Sequence, residues 1–262
     1  MHHLFRSALW LGFFFLILLS WWVIYSMSLN MDLDLMGRPG KMGFQMAAMD
    51  PKMPMHMPMA NFGPLFLMWA RMMAAMMLPT MVPTLRSYED LTISATGTRI
   101  GWIGVTLGYL VVWVSFAAAI SGVQLALLYG GVIDMLGVLK NNVFAGILLL
   151  IVGLFQFSRT KEVCHGVCHN PTVYFLGHWR DGFIGGSRMG IGLGIFCVGC
   201  CWGFMFLGFV GGVMNLLWMG LATLFMVLEK LPQFGRTITK PMGLLLIGGG
   251  LTVLIWPFVD GV

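Results

Sequence analysis

Seven stretches of the chain are almost wholly apolar: residues 8–28, 62–82, 102–126, 143–158, 189–210, 214–230 and 242–260. A helix that spans a bilayer needs about 20 mainly apolar residues, and most of these runs meet that length. The fourth is short; an earlier start, near Val132, would lengthen it. Charge is scarce as well. Only 10% of the 262 residues are charged, where a soluble domain carries about 25%. Too little polar surface remains to cover a water-facing globule, so lipid is the expected solvent. The expected fold class is all-α: a polytopic transmembrane helix bundle of about seven spans, six if one run does not cross. The expected location is the cell inner (cytoplasmic) membrane. The 35 glycines suit close helix approach in lipid.

Residues 1–28 are expected to form an N-terminal transmembrane helix. It follows a weakly basic start, Met1 to Arg6. Its apolar run is too long for a signal peptide and no A-x-A site follows, so it is expected to stay uncleaved. With that N-terminus cytoplasmic, the inner segments hold Arg6, Arg86, Arg99, Arg159, Lys161, Arg180, Arg188, Lys230, Arg236 and Lys240. The outer segments hold only Arg38, Lys41, Lys52 and Lys140. Ten against four fits the positive-inside rule if the span count is right. The net charge of +5 is then a loop property and does not point to nucleic acid.

Residues 29–61 form the expected outer loop, with nine methionines ending in Met53-Pro-Met55-His56-Met57-Pro-Met59. Prolines on both sides of His56 oppose a packed helix or a central strand. Thioether sulfur selects Cu(I), and imidazole also suits copper. Met53, Met55, His56, Met57 and Met59 are therefore candidate copper ligands, against a plainer reading in which they pack on the bundle. The rest, 62–262, is the bundle proper. In its first span Met68, Met72 and Met76 share a helical face at i, i+4, i+8, as a sulfur ladder leading inward or as ordinary packing. Arg71 lies in the same span, where a charge must face protein, water or an interface.

The densest chemistry is at 159–230. The loop 159–187 carries Cys164-His165-x2-Cys168-His169. On a helix the two cysteines align at i, i+4 and the two histidines on the next row, so a Cys2His2-type zinc site is open to them. The Cys-rich hairpin 189–230 carries Cys197, Cys200 and Cys201 at i, i+3, i+4, with Met205 on the same face. Counted back from the turn, Met219 falls near the depth of Gly203, within reach of Cys200 or Cys201. Gly203 would let the two helices close up. Met214 and the polar Asn215 open the returning helix. Thiolates and thioethers at mid-membrane suit Cu(I), whereas a lone cysteine would read as a small hydrophobe. Five cysteines, an odd number, do not form a disulfide framework.

Cys164-x3-Cys168, Arg188-Met-Gly190, Cys197-x-Gly-Cys-Cys-Trp202, Gly211-Gly-Val-Met-Asn-Leu-Leu-Trp-Met219, Glu229-Lys230 and Trp69-x2-Met-x2-Ala-Met-Met-Leu-Pro79 stand together in one chain. Over roughly residues 65–240 this pattern resembles the bacterial and archaeal family of predicted metal-binding integral membrane proteins. The resemblance implies a membrane fold and metal binding.

Three functions fit the residues. The first is acquisition, relay or delivery of a soft metal, with Cu(I) the first candidate and a metalloenzyme as recipient. The second is a membrane thiol–disulfide oxidoreductase using Cys197 and Cys200, which have redox-motif spacing. The third is a structural or assembly subunit whose partners are those of a larger membrane complex. Paired carboxylates in the bundle, a phosphate loop and a Ser/His/Asp set are all missing from the sequence, so hydrolytic or phosphoryl chemistry is unsupported.

Overall fold

Long apolar runs favour helices because a helix pairs its backbone N–H and C=O groups within the segment. The computed structural model describes residues 2–38, 40, 60–94, 99–231, 233 and 235–259. Its regular elements among the described residues are all helices, with an isolated antiparallel bridge pairing Ile133 with Leu139. In chain order the helices are α1 (His2–Asn30), α2 (Phe62–Thr80), α3 (Val82–Ser94), α4 (Arg99–Tyr129), α5 (Asn142–Phe155), α6 (Arg159–His169), α7 (Pro171–His178), α8 (Gly182–Phe206), α9 (Gly208–Gly211), α10 (Leu216–Lys230) and α11 (Gly235–Val259).

Five segments are long and apolar enough to cross a membrane: Arg6–Asn30, Phe62–Thr80, Arg99–Tyr129, Gly182–Gly211 and Thr237–Trp256. The expected fourth run becomes a bent pair instead. α5 ends at Phe155, α6 begins at Arg159, and the two axes differ by 62°. The expected 214–230 run is α10, with 15 residues. At 1.5 Å per residue it is about 22 Å long, short of a ~30 Å hydrocarbon layer.

The spine is the α4–α8 pair, which touch along most of their lengths. Their backbones meet directly. A Cβ on Gly104 would strike the backbone of Phe183 and Ser187, and one on Gly190 would strike the backbone of Val105. Small residues at such a seam let two helices gain close van der Waals contact. Gly203, expected to face α10, lies instead against the Val152 side chain of α5. α2 packs on α4, α1 on α2, α6 on α8, and α11 on α5. Apolar side chains such as Leu11, Leu18, Leu245 and Trp256 remain exposed on α1 and α11.

At the end of α8 the chain reverses through α9 and Gly212, whose φ of 93° suits glycine. Asn215 caps α10. Its Oδ1 accepts from the Trp218 N–H at 2.9 Å, and its Nδ2 donates to the Gly211 carbonyl at 3.0 Å. Two loops lie over this reversal. The Leu217 N–H donates to the Leu35 carbonyl, and the Leu139 N–H donates to the Phe209 carbonyl.

Candidate metal centre

The break between α5 and α6 builds the site. α5 closes at Gln156, and Ser158 starts a new helix by accepting the Lys161 N–H at its side-chain oxygen. The bend carries α6 across α8. There Cys197, Cys200 and Cys201 stand on a buried face of α8, each 2% exposed or less. Cys168 arrives from α6, its Sγ 3.9 Å from Cys200 Sγ. The sulfurs of Cys168, Cys197 and Cys200 all lie within 4.8 Å of one another. Cys201 Sγ is 3.3 Å from Cys200 Sγ. The sequence had separated a cytoplasmic Cys/His cluster from a mid-membrane thiol cluster; the fold merges the two through Cys168.

Two buried lysines flank the thiols, and each has its own partners. Lys230 Nζ lies 3.0 Å from Cys197 Sγ and 2.9 Å from Thr80 Oγ1. Tyr109 Oη approaches the same sulfur at 3.0 Å. Lys161 Nζ pairs with Glu229 at 2.9 Å and donates to the Cys200 carbonyl at 2.9 Å. Thr239 Oγ1 donates to Glu229 Oε1, completing that carboxylate. A buried charge is costly unless an opposite charge and hydrogen bonds compensate it. Glu229 compensates Lys161. For Lys230, the sulfur of Cys197 is the atom placed to do so. Both lysines entered the loop-charge tally, yet they are 1% and 4% exposed. They are interior groups and tell nothing of orientation.

Other candidates are placed differently. Cys164 is half-buried with its sulfur against Gly199, outside the three-thiol group. His165 Nε2 is 2.8 Å from the Glu229 carbonyl oxygen, and the His165 and His169 rings are 5.4 Å apart. Cys164, Cys168, His165 and His169 therefore do not converge as a Cys2His2 set. Among the described residues, the three-thiol group is the one His/Cys/Asp/Glu cluster with metal-ligand proximity. Both histidines instead line a polar cavity of about 530 Å³ beside Gln156, Glu162 and Lys240.

Met72, Met76, Met205 and Met219 line one small void, so Met219 meets other methionines there and no cysteine lines it. Met214 lines a separate contact with Met31, Met68 and Met135. Arg71 is exposed, its Nη1 3.6 Å from Met27 Sδ, and does not enter the interior. Met53, Met55, His56, Met57 and Met59 lie outside the described residues.

Lys161, Lys230, Glu229, Tyr109 and Thr80 escaped the reading of the sequence as site residues. Glu229-Lys230 did give a signal, as two opposite charges closing an otherwise apolar helix. Tyr109 and Thr80 gave none.

The donor set fits a soft cation. With metal–thiolate bonds of about 2.3 Å, the length zinc makes, three sulfurs around one ion stand about 4 Å apart. The 3.9 Å Cys168–Cys200 separation matches that spacing. Thiolate sulfur favours Cu(I) and zinc over hard cations.

No curated protein and no solved structure matches the chain. Residues 66–253 match the model of the PpoB2 copper chaperones, which spans every residue of the thiol centre, and the chain belongs to that family.

Proposed function

We propose that this protein is a multi-pass protein of the cytoplasmic membrane that holds Cu(I) at Cys168, Cys197 and Cys200 and delivers it to a metalloenzyme. The observation that carries the reading is the convergence of three buried thiols from two helices within 4.8 Å. Lys230 Nζ and Tyr109 Oη each lie 3.0 Å from Cys197 Sγ, and Lys230 also donates to Thr80 Oγ1, so polar groups hold that sulfur in place. Membership of a copper chaperone family supports copper as the cargo and handing-on as the purpose.

The membrane reading is supported by the five long apolar segments, the bent α5–α6 pair and the apolar side chains left exposed. Seven crossings require that α10 pass through a thinned or locally wet layer, as its length implies. Removing Lys161 and Lys230 from the loop charges leaves eight inner against four outer, so a cytoplasmic N-terminus still follows.

The test is an anaerobic Cu(I) titration of the purified full chain against a chromophoric chelator. The tightest equivalent is expected to disappear in Cys197→Ser with Cys200→Ser. A wild-type protein that stays metal-free at saturating Cu(I) would refute the proposal. Reversible oxidation of Cys197 with Cys200 by a quinone, in place of metal uptake, would favour the thiol–disulfide function instead.

A further inference from the structure

Thioether sulfur is concentrated where α2, α8 and α10 meet. Met72 and Met76 come from α2, Met205 from α8 and Met219 from α10, and these four are among the ten residues lining one buried void. Each is 3% exposed or less. The void measures about 10 Å³, the low limit for a single water molecule, and a water needs two to four polar partners. The lining offers few: four thioethers, Phe204, Val213, Ala222, Gly208 and the indoles of Trp69 and Trp218, of which the Trp218 N–H is the one donor left unpartnered. The Trp69 N–H is already committed to Gln124 Oε1 at 2.6 Å. A soft cation, unlike water, finds lone pairs there that suit it, and indole rings are the best aromatic partners for a cation.

The position relative to the thiols is fixed by two helices independently. Met205 follows Cys201 by four residues on α8, and Met76 precedes by four residues the Thr80 that shares Lys230 with Cys197. One helical turn, about 5.4 Å, separates the levels on each helix. On the far side, Met68 lies one turn beyond Met72 and lines the next contact with Met31, Met135 and Met214. Met31 begins the segment that leads to the methionine-rich residues 42–59. That outer contact has no room for a water molecule, and the roomier void lies between it and the thiols.

We propose that Met72, Met76, Met205 and Met219 form a second, thioether-only Cu(I) site, its Met205 about one helical turn from Cys201 and two from Cys197 along α8. It deepens the copper reading and rests on it. All four ligands are neutral, so a bound ion there keeps its full positive charge in a buried place. The site is consequently weaker than the thiol centre, and the two fill in order, thiols first.

The experiment is the same anaerobic Cu(I) titration, with X-ray absorption at the copper edge to identify the sulfur donors. Leucine matches methionine in volume and is tolerated in cores, so Met72→Leu with Met219→Leu is the first variant. It is expected to bind one equivalent fewer than wild type and to keep the tightest one. Met76→Leu with Met205→Leu is expected to do the same, which guards against a folding artefact in either pair. Cys197→Ser with Cys200→Ser is expected to lose the tight equivalent while retaining a thioether-only copper signal that the methionine changes then abolish. Methionine variants with undiminished stoichiometry and spectrum would overturn the second site and leave the thiol centre standing. A wild type that binds no Cu(I) would overturn both.

Discussion

The two sulfur-rich regions of this molecule differ in what surrounds the sulfur. Cys168, Cys197 and Cys200 sit among ionic groups: Lys230 on one sulfur, and the Lys161–Glu229 pair against the Cys200 carbonyl. Met72, Met76, Met205 and Met219 sit among aromatic and aliphatic groups, with no charged side chain in the lining. The contrast follows from the chemistry of each ligand. A thiol must give up a proton to bind metal, which leaves a buried negative charge for nearby cations to offset. A thioether binds without changing charge, so it needs no such support and also holds less tightly. One chain thus contains a charged sulfur environment and a neutral one, one to two helical turns apart along α8.

The largest effect expected within the charged region comes from Cys168→Ser. A structural zinc site worth about 10–16 kcal/mol over four ligands loses roughly 2.5–4 kcal/mol per ligand, and a loss on the same scale, about 60- to 700-fold in affinity, is expected here. Cys164→Ser is the paired control. Cys164 lies four residues away on the same helix but outside the three-thiol group, and its replacement should leave Cu(I) affinity within about twofold, well inside the spread of surface changes. Equal losses in the two variants would mean that α6 does not present Cys168 to α8 as the structure has it.

Lys230→Leu should come next. It removes the cation beside Cys197 while keeping apolar bulk and adding no sulfur. Outer-shell partners of metal ligands are worth about 10–100-fold in affinity, and a loss of that size is expected, read by chelator competition. The same change should not alter the thioether spectrum, because Lys230 does not line the methionine void. If both sites weakened together, the distinction between a charge-supported and a neutral region would fail.

Much of this was legible in the sequence, for reasons that concern particular residues. The apolar runs gave the helices, because their length and lack of charge leave little else for them to form in lipid. The i, i+3, i+4 spacing put Cys197, Cys200 and Cys201 on one face, and their burial agrees. Cys168 was harder. Its meeting with Cys200 depends on the 62° bend between α5 and α6, and the signal for that bend is weak: a run ending in Gln156-Phe-Ser158 with no proline in it. Lys161 and Lys230 were misjudged because each stands at a helix end, where a lysine ordinarily reaches water. Only the tertiary arrangement, with Glu229 and Cys197 in place, turns them inward. Met219 followed the same rule: depth counted along a hairpin says how far in a side chain lies, but not which neighbour it faces.

The smallest expected effect is the sharpest check on whether methionine in this chain is ligand or filler. Met73 and Met77 stand beside Met72 and Met76 on α2 and are as deeply buried, at 1% and 0% exposure. Neither lines the void. Met73→Leu with Met77→Leu conserves volume, so each change should cost less than about 1.5 kcal/mol of stability, measured by thermal unfolding in detergent. Copper stoichiometry should not change at all. Met72→Leu with Met219→Leu should cost a similar amount in the metal-free protein yet remove one equivalent of Cu(I). The two pairs have the same chemistry and comparable burial, and Met72 shares α2 with Met73 and Met77; they differ in whether they line the void. A copper loss shared by both pairs would show that methionine content, and not the geometry at the α2–α8–α10 junction, governs uptake.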